Sequence, residues 1–204
     1  MKKLIMLLAI GLPTLAFSQT DTLTGALGLT FNMSLNDAKQ SLIGQYGKPM
    51  TDNTTFLSWN NQKVFNIQPA AIFLAFDKSK ELRSITVTYS SNSDFGDNTN
   101  KGNPFANITE YAMFLQFKDA LINKYGQPSD SSRSISRLYY GKIKDEDDSQ
   151  KENSIQQGLE KISCNWVFAN GGILLSVQKG RINILYKQIS KQKQEKIDID
   201  TNGL

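Results

Sequence analysis

The chain has 204 residues, enough for one domain or two small ones. Hydrophobic residues make up 39% and charged residues 21%, with 14 Gly and 5 Pro, which excludes a disordered, collagen-like or linker-like chain. There is no histidine and only 1 cysteine, which excludes imidazole catalysis, histidine metal ligands, an intrachain disulfide and a cysteine-cluster metal site. We therefore predict no metal site and no cofactor.

The N-terminus has the three parts of a secretory signal peptide. Lys2 and Lys3 form a basic start, residues 4–12 are apolar, and small residues precede a predicted cleavage site between Ser18 and Gln19. The apolar run is too short to span a hydrocarbon layer of about 30 Å, and no later stretch is long enough either. We therefore expect a signal peptide over residues 1–18, no transmembrane segment after cleavage, and a mature chain that is periplasmic or secreted.

The charge of the mature chain is close to neutral. Loss of the two N-terminal lysines leaves a net charge of about +2. The only basic cluster, residues 187–196, runs into a polar tail without interleaved aromatic residues, whereas a nucleic-acid site needs a basic face with such residues. The sequence thus predicts no nucleic-acid partner.

Two stretches of the chain match each other. Residues 35–49 read LNDAKQSLIGQYGKP and residues 114–128 read FLQFKDALINKYGQP. Each places apolar residues on one helical face and ends in Tyr-Gly-x-Pro, where glycine can adopt the left-handed conformation and proline cannot continue the helix. The match predicts two amphipathic helices and a duplicated unit.

The residues that follow each helix alternate between apolar and polar positions and are rich in β-branched and aromatic types, which predicts strands. Lys179-Gly180, between two alternating runs, predicts a tight hairpin. The predicted strands are 56–59, 71–76 and 82–89 after the first helix, and 162–168, 173–177 and 181–186 after the second, with 136–140 as a further candidate.

These elements predict an α+β fold of two tandem units, each an amphipathic helix packed on a three-stranded antiparallel β-meander. Whether the two sheets are separate or continuous stays open. The connections are rich in Ser, Asn, Asp and Gly or in charged residues, and we expect the charged one to be mobile. The predicted segments are a first unit over 19–89, a linker over 90–104, a second unit over 105–189 with a charged insertion at 141–160, and a polar tail over 190–204.

The opening of the first unit resembles a known family. Residues 31–34 read FNMS and precede a helix that ends in YGKP at 46–49. This is similar to the Gly-Met-[Ser/Thr], helix, Leu-Gly-x-Pro opening of the outer-membrane assembly lipoproteins of the SmpA/OmlA type and of their tandem relative, the beta-lactamase inhibitory protein. The strand-turn pattern at 76–85 is similar as well, although Asn32 replaces the family's Gly and no lipid-accepting cysteine is present. Over residues 27–189 the resemblance implies helices on one face of an antiparallel sheet and a role in binding proteins.

The single cysteine is predicted to be a core residue. When Trp166 is aligned with Trp59, Cys164 falls where the first copy has Leu57. A position that accepts Leu in one copy and Cys in the other is typical of a buried apolar site. Without histidine to activate the thiol, a nucleophilic role is disfavoured.

Strand alternation predicts one sheet face toward the helices and one open face. Phe73 is out of phase with Ile72 and Leu74, so its ring is expected on the open face among small polar residues. An exposed aromatic residue in such a setting favours a partner surface, unless the second sheet or the insertion covers it. The predicted binding residues are Phe73, Thr86, Thr88, Leu174 and Asn183.

We therefore expect an exported, non-enzymatic binding protein of the bacterial envelope that engages a protein or peptide through the open face. Nucleotide-binding loops and the serine-hydrolase motif are absent from the sequence. Two alternatives stay open. A deep pocket with two convergent acids would favour a carboxylate- or Ser/Tyr-based enzyme. An enclosed apolar cavity between helix and sheet would favour a carrier of a small apolar ligand. The sequence leaves the partner and the oligomeric state open.

Overall fold

The computed structural model describes residues 22–65, 67–90, 109–135 and 148–189. The predicted signal peptide, the strand candidate at 136–140 and the polar tail at 190–204 lie outside these residues, as does the predicted linker apart from Ser90.

The strands within the described residues form one antiparallel sheet of eight and a separate two-stranded hairpin. The hairpin consists of β1 (Gly25–Ala26) and β2 (Leu29–Thr30). In the large sheet the order is β3-β4-β5-β6-β10-β9-β8-β7, so the last strand of each set of four lies at the centre. These strands are β3 Thr51–Asp52, β4 Phe56–Val64, β5 Ile67–Phe76, β6 Leu82–Ser90, β7 Asp130–Ile135, β8 Glu160–Phe168, β9 Gly171–Gln178 and β10 Arg181–Gln188.

In the part of the chain that the structure describes, three helices pack on the sheet: α1 (Leu35–Tyr46), α2 (Glu110–Tyr125) and α3 (Asp148–Gln156). The Ser34 and Thr109 hydroxyls cap the first two, each accepting an N–H from the first turn at 3.2 Å. Both helices end at a glycine with positive φ, which a side chain would strain. No helix in the described residues is long and apolar enough to cross a lipid bilayer.

The prediction of an α+β fold with antiparallel strands is confirmed, and the sheet is continuous. All six main predicted strands lie within β4, β5, β6, β8, β9 and β10. The three-strand count was wrong, because β3 and β7 each add a fourth strand at an edge. Both added strands are polar, so they lack the apolar alternation that identifies a strand from sequence.

The expectation of a mobile charged insertion was wrong for the part that the structure describes. Residues Asp148–Gln156 form α3, which packs against α2, β8 and β9. Ile155 is fully buried, and its carbonyl accepts the Lys179 N–H at 2.7 Å. Ile155 is a single apolar residue in an otherwise polar segment, so the segment has almost no hydrophobic periodicity. The helix α3 therefore could not be identified from the sequence.

Alternating side chains divide the sheet into a helix face and an open face. On the helix face, matched positions of six strands form one buried row that the helices cover. The row consists of Leu57, Leu74, Ile85, Tyr186, Ile173 and Trp166.

Two buried tryptophans fasten the helix ends to the sheet. Trp59 on β4 donates its indole N–H to the carbonyl of Gly47 at 2.9 Å, and Trp166 on β8 donates to that of Gly126 at 2.8 Å. Each bond satisfies a carbonyl at a helix terminus, where no intrahelical donor is left. The indoles thereby fix where α1 and α2 end over the sheet.

The segment before α1 connects distant parts of the sheet. The side chain of Asn170, between β8 and β9, accepts the Leu23 N–H at 2.7 Å and donates to the Leu23 carbonyl at 2.9 Å. Further along, the chain reaches the β5–β6 turn, where the Asn32 N–H donates to the Leu82 carbonyl at 3.0 Å. The segment therefore ties the first four strands of the sheet to the last four.

Replacing Asn170 with Ala should destabilise the protein by about 2–3 kcal/mol, because both polar groups of the partly buried Leu23 backbone lose their partner. The denaturant midpoint measures this loss. The matched control is Asn123→Ala, which removes an exposed amide from α2. It should not lower the midpoint, because alanine forms helices better than asparagine. Equal losses from the two changes would contradict the assigned role of Asn170.

Cys164 is 1% exposed and pairs with Leu175 on β9, which confirms its predicted burial. The native thiol should therefore react with a thiol reagent only on unfolding, and Cys164→Ala should cost about 1–2 kcal/mol through lost packing. The measurement is the labelling rate of the native and the denatured protein. Rapid labelling of the native protein would contradict the assignment.

Candidate functional site

The open face carries all five predicted binding residues in two neighbouring rows that run across the strands. Phe73 on β5 faces Thr86 on β6, and Leu174 on β9 lies further along the same row. Leu185 on β10 joins them, because it pairs with Thr86 on one side and with Leu174 on the other. These side chains are partly exposed, and the described helices pack on the other face.

The second row is more buried and is hydrogen-bonded internally. Thr88 on β6 pairs with Asn183 on β10, and its hydroxyl donates to the Asn183 Oδ1 at 2.8 Å. Thr88 is only 8% exposed, so its hydroxyl orients Asn183 rather than presenting a surface of its own. Ser176, Ser163 and Ser132 continue this row, and the last two join their hydroxyls at 2.8 Å.

Phe73 belongs to an aromatic pair that the sequence reasoning missed. Its ring stacks on that of Phe56 from β4, with centroids 5.9 Å apart and planes at 27°. Phe56 pairs with Ala75, two residues beyond Phe73 on β5, which places both rings on the open face. Alternation on β5 puts Ala75 on the same face as Phe73. Phe56 could be assigned to that face only if its pairing with Ala75, and so the β4–β5 register, were known.

A concavity of about 720 Å³ lies on the open face over the last four strands. We call it the open-face hollow; its floor consists of Gly172, Leu174, Leu185 and Val167. Gly172 creates the depth because it pairs with Lys187 on one side and with Val167 on the other and projects no side chain between them. Val167 is 63% exposed, so it offers apolar surface at the rim of this floor.

Leu185 and Val167 also escaped the sequence reasoning. Leu185 shares the phase of the predicted Asn183 on β10, so alternation could have identified it. Val167 shares a strand with the buried Trp166 and occupies the opposite phase. Its role in the hollow depends on the β8–β9 register, which the sequence leaves open.

One end of the hollow is bordered by an arginine network. The Arg83 guanidinium donates to the Asp77 carboxylate at 2.7 Å, the Glu81 carboxylate at 2.7 Å and the Gln188 amide oxygen at 2.8 Å, and it also contacts the Asn32 amide oxygen. The network joins the β5–β6 turn to the end of β10. Two carboxylates pair with the single positive charge of Arg83, so the network has one excess negative charge, and its members are hydrogen-bonded to one another.

The network also changes the acidity of Asp77. Burial opposes ionisation of this carboxyl group, but N–H donation from the Glu81 and Ser79 backbones and the nearby Arg83 charge outweigh it. The pKa of Asp77 is therefore held below its usual value. A carboxylate in this state remains a fixed anion that accepts hydrogen bonds.

Two acids converge where α2 meets α3. Glu110 is buried and accepts the Gln156 amide at 3.3 Å, while Glu152 accepts the Tyr111 N–H at 3.4 Å. Burial is the main cause that raises the pKa of Glu152; the Thr109 and Tyr111 donors act against it, and the Glu110 carboxylate adds to it. An open groove of about 470 Å³ lies beside Glu152.

The described residues contain no group of three or more His, Cys, Asp or Glu side chains able to hold a metal ion. Comparison of the chain with protein-family models, with curated proteins and with solved structures finds no match. The functional proposal therefore depends on the geometry of the open face and of the groove beside Glu152, together with the sequence.

The Asp77 network should give the protein an acid-sensitive contribution to stability. Because its folded-state pKa is lowered, the stabilisation is complete above the unfolded carboxyl value of about 3.9 and is lost as the pH falls through the lower folded value. As the pH is lowered from about 5 to about 2, the denaturant midpoint should therefore fall more steeply for the wild type than for Asp77→Asn. Asp119→Asn, an exposed change on α2, is the control and should keep the wild-type slope.

Proposed function

We propose that this chain is an exported, non-enzymatic protein of the bacterial envelope that binds another protein or a peptide through the open face of its sheet. The observation that carries the proposal is the position of Phe73, Leu174 and Leu185 in one row of that face, partly exposed, while the described helices pack on the other side. Partly exposed apolar residues among small polar ones favour a protein-interaction surface.

The size of the surface favours a macromolecular partner. Strands lie about 4.8 Å apart, so the partly exposed row from Phe73 on β5 to Asp130 on β7 extends over about 24 Å. The aromatic pair Phe56–Phe73 and the open-face hollow lie on either side of Thr86. A partner that contacts both must span about 14 Å, which suits a protein segment better than a small ligand.

The carrier alternative is less well supported. It needs an enclosed apolar cavity between helix and sheet, whereas the hollow lies on the open face.

The enzyme alternative has one observation in its favour, the Glu110–Glu152 pair. A carboxyl group with a raised pKa beside a groove is a candidate general acid. Glu110 itself is buried between the helices rather than lining the groove, so only Glu152 faces it. If the substitution Glu152→Gln loosens the packing of α3 and no activity is lost with it, the Glu110–Glu152 pair has a structural role.

We also propose that the sheet arose from two tandem copies of one unit. Support comes from the paired helix stops and from the indole-to-glycine bonds, Trp59 to Gly47 and Trp166 to Gly126, which occupy matching places in the two sequence repeats. The export part of the proposal rests on the predicted signal peptide at residues 1–18.

Replacing Phe73 with Ala should weaken partner binding by about 1–3 kcal/mol, as for an aromatic anchor. It should cost only about 1 kcal/mol of stability, because the ring is partly exposed and stacks on Phe56 alone among the aromatic residues described. The test is retention of envelope proteins by the immobilised mature chain, with the denaturant midpoint measured in parallel.

The matched control is Leu115→Ala, which removes a 37% exposed apolar side chain from α2 on the helix side. It should leave retention unchanged. Equal retention by wild type and Phe73→Ala would contradict open-face binding, and so would an equal loss with the control.

A further inference from the structure

We propose that the open-face hollow binds an extended peptide segment in which an apolar side chain lies between an acidic residue and a basic residue. This inference rests on the proposed function, because it names the chemistry of the partner at that same face. It assigns the acidic residue to Lys187 and the basic residue to Asp130, at opposite sides of the hollow.

The floor of the hollow provides the apolar contact. Leu174 and Leu185 lie side by side, and Val167 stands next to the bare backbone at Gly172. A Cβ at position 172 would lie 3.0 Å from the Trp166 carbonyl, so a side chain there would be tightly placed and would also fill the depression. An aliphatic or aromatic side chain from a partner can enter this space and bury the exposed Val167.

The walls provide opposite charges. Lys187 on β10 is exposed and lies directly beside Gly172, and Asp130 on the edge strand β7 is exposed and pairs with Asn165. Neither forms an ion pair with another described residue. Arg83 and its two carboxylates, at the end of the hollow, are paired with one another and leave one excess negative charge there. Outside that network, the charged side chains that line the hollow are the cation Lys187 and the anion Asp130, with apolar floor between them.

The spacing of these charges sets the length of the segment. Lys187 and Asp130 are three strands apart and offset by two residues, or about 16 Å between their backbones. An extended chain advances about 3.3 Å per residue, so the acidic and basic residues should be four or five positions apart. The order of charges also fixes the direction in which the segment crosses the strands.

The side chain of Asn165 can form hydrogen bonds with the backbone of such a segment. The Asn165 amide forms no side-chain hydrogen bond within the described part of the chain and lies in the row between Leu174 and Asp130. It can donate to a peptide carbonyl and accept a peptide N–H at once. This favours an extended segment over a helix, whose backbone groups are already paired with each other.

The test is selection from a phage-displayed library of random dodecapeptides on the immobilised chain over residues 19–204. Wild type should enrich peptides in which an apolar residue lies between an acidic and a basic residue, in either order, with the charges four or five positions apart. Lys187→Glu should replace the acidic preference with a basic one, and Asp130→Lys should replace the basic preference with an acidic one. Synthetic peptides from the wild-type selection should bind Lys187→Glu about tenfold more weakly or worse.

Two controls separate the possible failures. Lys48→Glu, an exposed change next to the end of α1, should leave the selected sequences unchanged, and the charge variants at Lys187, Asp130 and Lys48, all exposed, should keep the wild-type denaturant midpoint. Selected peptides that lose binding on Leu174→Asp but carry no pair of opposite charges four or five positions apart would overturn this inference and leave the proposed function intact. Peptides insensitive to Leu174→Asp and to Phe73→Ala would overturn both.

Discussion

The pairing of β6 with β10 is the contact on which the rest of the structure depends. Seven residue pairs join these two strands antiparallel, each strand being the last of its own set of four. Across this seam Thr88 bonds to Asn183, 95 positions away in the chain. Because the backbone hydrogen bonds continue through it, there is one sheet with one uninterrupted open face. The row that contains Phe73, Leu185 and Leu174 exists only because of this contact.

The helix face explains why the other face carries few large apolar side chains. Both indoles and most of the large apolar side chains lie under the helices, where each tryptophan N–H also satisfies a helix-terminal carbonyl. Burial of apolar area on this side supplies most of the driving force for folding. The open face, lined by serine, threonine and a few apolar residues, is then available for other contacts. The proposed partner surface is therefore a consequence of one-sided packing.

Few charged side chains line the open-face hollow, and their positions are therefore informative. Arg83 is held by two carboxylates and contributes to the structure of the β5–β6 turn. Lys187 and Asp130 remain on opposite sides of an apolar floor, where complementary charges on a partner would fix its register more than its affinity. Gly172 is central to this arrangement, because any side chain there would reduce the depth between them.

Local patterns in the sequence predict the two amphipathic helices, their Tyr-Gly-x-Pro ends, six strands and the phase of Phe73. These follow from hydrophobic periodicity, glycine conformation and strand alternation, which act within a few residues along the chain. The same patterns do not predict β3, β7 or α3, whose polar residues carry little periodic signal. It takes the folded chain to place Leu185 between Thr86 and Leu174, and to open a hollow at Gly172 beside Val167. Strand order and register decide such neighbours, and they depend on hydrogen bonds between residues far apart in the chain, which no local pattern records.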